Sequence, residues 1–161
     1  MKSTGKRFEE NFKKSVPKNI FYYRLRDGAS SWGGNEKVRF QIENICDSIM
    51  YDGDYLYTLE LKSTKGKSFP FSNIREHQIT DLLWCSNFIN VISGLIIDFS
   101  DLDECYFIEI NNLKNYINNT VRKSIPIDYC KNNCLKIDVE KKRINKRYNV
   151  ENFIKKAIDF I

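Results

Sequence analysis

The chain has 161 residues, 42% hydrophobic and 14% aromatic, enough for one sizeable core and too short for a second domain of ordinary size. Its 26 Lys+Arg against 21 Asp+Glu give a net charge of +5, which favours an anionic partner such as nucleic acid without identifying one. No apolar run reaches the roughly 18 to 20 residues that a bilayer span needs, and "MKSTGKRFEENFKKS" lacks the apolar stretch of a secretion signal. A cytoplasmic protein without membrane contact is expected.

Phe8 and Phe12, spaced i and i+4 in "GKRFEENFKKS", predict an opening helix that Pro17 closes. "NIFYYRL" reads as a strand, the Gly/Ser-rich "RDGASSWGGNE" as a loop or protrusion, and "VRFQIENICDSIMY" and "DYLYTLELKS" as two more strands. After a loop, Asn73 three residues before Glu76 has capping-box spacing and opens a helix carrying Ile79, Leu82 and Leu83. "GLIIDF" and "CYFIEI" predict apolar strands, "NNLKNYINNT" a helix, "CLKIDVEK" a short strand and "NVENFIKKAIDFI" a closing amphipathic helix. Helices and strands alternating around a hairpin indicate an α/β fold with a mixed sheet. Five irregularly spaced cysteines, Cys46, Cys85, Cys105, Cys130 and Cys134, read as structural thiols; "CKNNC" has no histidine near it in sequence, since His77 is the sole one.

The informative stretch is "ICDSIMYDGDYLYTLELKST", residues 45 to 64. Asp52-Gly53 is a two-residue hairpin signal that pairs Tyr51 with Asp54 and sets Asp47 opposite Thr58. Alternation puts Thr58, Glu60 and Lys62 on one face together with Asp47, and Tyr57, Leu59 and Leu61 on the other. Glu60 is then the diagonal neighbour of Asp47, roughly 7 to 8 Å away between backbones, so both carboxylates can reach one ion. A four-residue loop keeps this parity. Two carboxylates beside a lysine suit a hard divalent cation, with the lysine orienting a water or steadying charge on a phosphate. An ordinary cross-strand salt bridge on a solvated face is the competing reading.

Asp47, then Glu60 thirteen positions on, one residue, and Lys62 resembles the PD-(D/E)xK nuclease signature, with Cys46 where the name expects proline. "GKRFEENF", with Glu9 four residues after Gly5, resembles the first-helix motif of Holliday junction resolvases. "LELKSTKGKSFPFSNIREHQITDLL" closely resembles the RecU family of resolvases, in which a lysine strand is followed by a Ser-Phe-Pro segment and a helix opening on a Glu-His-Gln-like triplet. The likeness covers most of residues 5 to 85; the second half of the chain carries less specific likeness.

The resemblance implies a restriction-endonuclease-like α/β fold, a mixed central sheet flanked by helices, in a single domain over 1–161 with a protruding stalk at 30–44. It implies a homodimeric, Mg2+-dependent endonuclease, with Mn2+ as a possible substitute, that acts on four-way junction DNA. Asp47, Glu60 and the Leu61 carbonyl become metal ligands, Lys62 the residue that positions the attacking water, and Glu9 and Gln78 supporting polar groups. Lys65 and Lys67 become DNA contacts. In the stalk, "SSWGGNEKVRFQIEN", Lys37 and Arg39 would meet phosphate and Phe40 would stack on junction bases, unless Phe40 is a core residue of an ordinary strand. His77 reads as a helix-surface or DNA-facing residue rather than a catalytic one. The alternatives are another nuclease of the superfamily acting on duplex DNA, or a non-catalytic DNA-binding protein.

Overall fold

The apolar run "VISGLIIDF" is buried along almost its whole length and on both faces, as a central strand between two helical layers must be. The computed structural model describes residues 3–25 and 44–161. Its main sheet has six strands in the order β1 (Phe21–Arg24), β2 (Ser48–Tyr51), β3 (Leu56–Thr64), β5 (Val91–Phe99), β6 (Glu104–Glu109) and β8 (Leu135–Ile137). β3 and β5 pair in parallel and the other neighbours are antiparallel, so the sheet is mixed as expected. Two small ribbons flank it: β4 (Ser68–Pro70) with β7 (Ser124–Pro126), and β9 (Val139–Lys141) with β10 (Lys146–Tyr148).

Helix α1 (Thr4–Ser15) starts where the Ser3 hydroxyl accepts the Lys6 N–H, and it stops at Val16, held extended by Pro17. Its buried Phe8 and Phe12 pack with Tyr57, Leu59 and Leu61 of β3, and Phe8 meets the ring of Tyr148 edge-on. Helix α5 (Val150–Phe160) covers the same face through Phe153, which contacts Tyr57 and Phe107. The other face is covered by α2 (Glu76–Cys85), α3 (Ile110–Asn119) and α4 (Ile127–Asn133), with Leu82, Leu113 and Cys130 meeting Leu95, Ile97 and Ile108. At Gly94 any side chain would collide with the Ile108 carbonyl and the Phe107 ring, so the β5–β6 pairing requires glycine there. All five cysteines are buried free thiols.

The structure corrects several expectations. The hairpin loop holds four residues, not two: Tyr51 pairs with Leu56, while Asp52 Oδ1 accepts both the Asp54 and Tyr55 N–H groups at 2.9 and 2.7 Å. The register moves by two, and Asp47 falls opposite Glu60 rather than Thr58, with the parity of faces kept. Within the segment read as a strand over 38–51, only Ser48–Tyr51 pairs among the described residues, and 44–47 is irregular. Helix α2 begins after Arg75, not after Asn73, which lies in a 3-10 turn; Gln78 Oε1 accepts the Arg75 N–H at 3.0 Å and supplies half a capping box. "CLKIDVEK" divides into β8 and β9, which belong to different sheets. The ribbons' other strands and α4 had no sequence counterpart. Lys37, Arg39, Phe40 and the stalk up to residue 43 lie outside the described residues.

Candidate active site

The site lies where β2 leaves β3. At Asp47 the chain stops pairing as a strand, and the carboxylate takes over the ladder: Asp47 Oδ2 accepts the Leu61 N–H at 2.9 Å, while the Asp47 carbonyl accepts the N–H of Leu25. Because an extended residue's N–H and C=O leave the same side of a strand, the Leu61 carbonyl also points to the edge that β2 has vacated. Glu60 and Lys62 project to the α2 side of the sheet, as alternation predicts.

Glu60 is 1% exposed, and its Oε1 accepts from Lys62 Nζ at 2.6 Å and from Gln78 Nε2. The Gln78 amide is therefore fixed at both ends, its oxygen on the helix start and its nitrogen on the glutamate. Lys62 is 21% exposed and, like Asp47 and Gln78, is only half-buried. Burial first, and then repulsion from the adjacent Asp47 carboxylate, push the Glu60 carboxyl up to about 7 against the pull of Lys62. Two adjacent carboxylates therefore share the one lysine that pairs with Glu60. Cys46, in the proline position of the signature, is buried with its thiol pushed up to about 12 chiefly by burial, and its Sγ donates to the Ser48 carbonyl, so it fills space beside Asp47 as a neutral group.

Glu9 lies on α1, 16% exposed, in an ion pair with Arg24 of β1 at 2.5 Å. Tyr22, whose hydroxyl is raised mainly by burial, also feels Glu9, Arg24 and Asp47, so the three charges share its surroundings. Arg24 is a member of this surround that the sequence did not single out; a basic residue at a strand end carries no signal of its own. His77 is half-buried in the first turn of α2. Lys65 and Lys67 are exposed on the turn that follows β3. Among the described residues no three His, Cys, Asp or Glu side chains gather to hold an ion. Two carboxylates and a carbonyl still fit Mg2+, which is bound through one or two carboxylates and keeps several waters.

A six-stranded mixed sheet between helical layers, with an Asp and a Glu-x-Lys set at the fork of two strands, defines a restriction-endonuclease-like α/β protein. The fold is similar to the structure of Archaeoglobus fulgidus Hjc, a Holliday junction resolvase from an archaeal hyperthermophile, with a TM-score of 0.52 and 13% identity over 82% of this chain and 95% of that one. The family model for RecU, Recombination protein U, matches residues 9–152, and the chain belongs to that family. It is 32% identical over 160 residues to the SPbeta prophage-derived uncharacterized protein YotM of Bacillus subtilis strain 168, covering 89% of this chain and 81% of the relative. It is 34% identical over 89 residues to the Holliday junction resolvase RecU of Ureaplasma parvum serovar 3, covering 55% of this chain and 51% of that protein. The resolvase of the same name from Staphylococcus saprophyticus is 34% identical over 88 residues, 52% of this chain and 41% of that protein. These matches span about half, or less, of the length of the two named resolvases.

Proposed function

We propose that the chain is a divalent-metal-dependent endonuclease that resolves four-way junction DNA by phosphodiester hydrolysis. The observation that carries this reading is the pairing of half-buried Asp47 with buried Glu60, two carboxylates beside the single cation Lys62. Asp47, Glu60 and the Leu61 carbonyl would hold Mg2+, or Mn2+ in its place. When bound, the ion supplies Lewis acidity toward a phosphate oxygen and acidifies a water. Lys62, on Glu60 Oε1, holds the attacking water and steadies the charge that develops on phosphorus-bound oxygens. The water oxygen bonds to phosphorus, the opposite P–O bond breaks, and the departing sugar oxygen takes a proton. Gln78 fixes the rotamer of Glu60 and so acts by positioning; Glu9 holds Arg24 near the aspartate.

The family relatives named as resolvases favour the junction as substrate. A two-fold homodimer would set two such sites to cut paired strands symmetrically. Residues 30–44 would be the stalk of a single domain over 1–161, with Phe40 stacking in the open centre and Lys37 and Arg39 on phosphate. Lys65 and Lys67 would contact the backbone near the cut. No helix among the described residues is long and apolar enough to cross a membrane, and a cytoplasmic location suits a DNA substrate.

Asp47→Asn tests the reading by removing a ligand charge at nearly constant volume. On a four-way junction in Mg2+ it should cut at least about 100-fold more slowly while binding as tightly as wild type in EDTA. Undiminished cutting by the variant would sink the site. Linear duplex cut as fast as the junction would sink the substrate.

A further inference from the structure

The sequence "KKRINKR", residues 141 to 147, places five cations in seven positions, and nothing in the proposed reaction uses them. In the structure they form the β9–β10 hairpin, whose tip and strands stand with Arg7 of α1 around an open cleft of about 270 Å³. Five side chains lining the cleft are cationic, Arg7, Lys141, Lys142, Arg143 and Lys146, and one, Asp103, is anionic, so its field selects an anion.

The cations divide by role. Lys146 is anchored: it bonds buried Asp98 and Asp103 at 3.2 Å each and the Ser100 carbonyl at 2.9 Å. Lys141 is held on Asp103 at 2.9 Å. Lys142 has only a loose, exposed pairing with Glu140 at 3.7 Å, of a kind that contributes little, and Arg143 has no ion pair among the described residues. Two cations therefore fix the hairpin and two face solvent on its tip.

The anchor also fixes the hairpin relative to the candidate site. Ser100, which accepts from Lys146, donates through both its N–H and its hydroxyl to the Thr64 carbonyl, two residues beyond Lys62. Lys65 and Lys67 follow on the exposed turn. The hydrogen bonds thus tie the cleft's anchor to the Thr64 end of β3, two residues beyond Lys62, with Asp98 on the opposite face of the sheet from Glu60 and Lys62.

We propose that the β9–β10 hairpin tip is a seat for the DNA backbone: Lys142 and Arg143 engage phosphates of the arm that runs past the site, and Lys146 holds them in place. The inference rests on the nuclease reading above. Contacts of this kind carry no sequence or branch preference; they set register and raise affinity for any duplex arm.

The test is a pair of titrations, of a four-way junction and of a linear duplex, in EDTA between 50 and 200 mM salt. The double variant Lys142→Ala, Arg143→Ala removes two exposed side chains. A second double variant, Lys155→Ala, Lys156→Ala, removes the same charge from α5. The hairpin variant should weaken binding to both DNAs by a similar factor, roughly tenfold, and flatten the log–log salt dependence by up to about 1.8, or about 0.9 for each phosphate lost. The α5 variant should keep the wild-type slope. An unchanged slope in the hairpin variant, or equal flattening in both variants, overturns the seat. If the hairpin variant behaves as expected but the wild type fails to cut in Mg2+, the nuclease reading falls and the seat stands.

Discussion

Two buried acid–lysine clusters lie on adjacent strands and opposite faces of the sheet. On β3, Glu60 is 1% exposed with Lys62 at 2.6 Å; on β5, Asp98 is 2% exposed with Lys146 at 3.2 Å. Burial raises both carboxyls. The difference is in the remaining neighbours. Asp98 receives two further donors, the hydroxyls of Tyr148 and Ser63, at 3.2 Å each. Glu60 receives the Gln78 amide and then a second carboxylate, Asp47. One cluster is complete and ties a hairpin to the sheet. The other is held together by its surroundings against its own repulsion, the arrangement on which the proposed cation site rests.

The largest expected effect separates the clusters by stability. Asp98→Asn leaves Lys146 with Asp103 as its remaining acid, and should cost about 3 kcal/mol, the lower end for breaking a buried pair. Glu60→Gln, measured by the same denaturant unfolding in EDTA, should lie within about 1 kcal/mol of wild type, because lost repulsion offsets lost attraction to Lys62. Equal destabilisation would mean that the two clusters are alike.

The pH response is smaller and has a definite sign. A carboxyl raised from 4.5 to about 7 in the folded state contributes stability that is present below 4.5 and is lost as pH rises through about 7. Metal-free wild type should therefore lose melting temperature between pH 5 and 8 relative to Glu60→Gln. Saturating Mg2+ favours the ionised form and should remove that difference. A metal-free difference that stays flat across the range would show that burial and Asp47 together do not raise the Glu60 carboxyl in the folded state.

The smallest effect concerns the supporting bonds. Gln78→Ala should slow cutting by roughly tenfold with little change in junction affinity, the size expected for one hydrogen bond to a charged group. Loss of affinity in proportion to rate would make Gln78 a DNA contact instead.

What the sequence revealed follows the range of each interaction. Strand alternation is local, so Glu60 and Lys62 could be put on one face before any register was known, and Asp47 joined them only because two- and four-residue loops share a parity. The register itself failed by two, because the Asp52 side chain captures two backbone donors and lengthens a loop that Asp-Gly alone would make short. The start of α2 was misplaced by two residues because Gln78, not Glu76, returns to cap the helix. Asp98 and Lys146 are 48 positions apart, and no spacing rule joins them. The resemblance reached the Asp47, Glu60 and Lys62 motif directly, whereas Arg24 and the basic hairpin gain their meaning only from what the fold sets beside them.

Gln78 couples two events that are usually separate. Its amide closes the first turn of α2 with one end and grips the candidate metal ligand with the other, so opening of that turn and release of Glu60 are one motion. Fraying of a helix end, ordinarily a harmless fluctuation at the low-stability margin of a fold, here disassembles the site. A cation bound at Glu60 would slow that fraying, and amide exchange in the first turn of α2 becomes a clock for occupancy of a centre that lies on a different element.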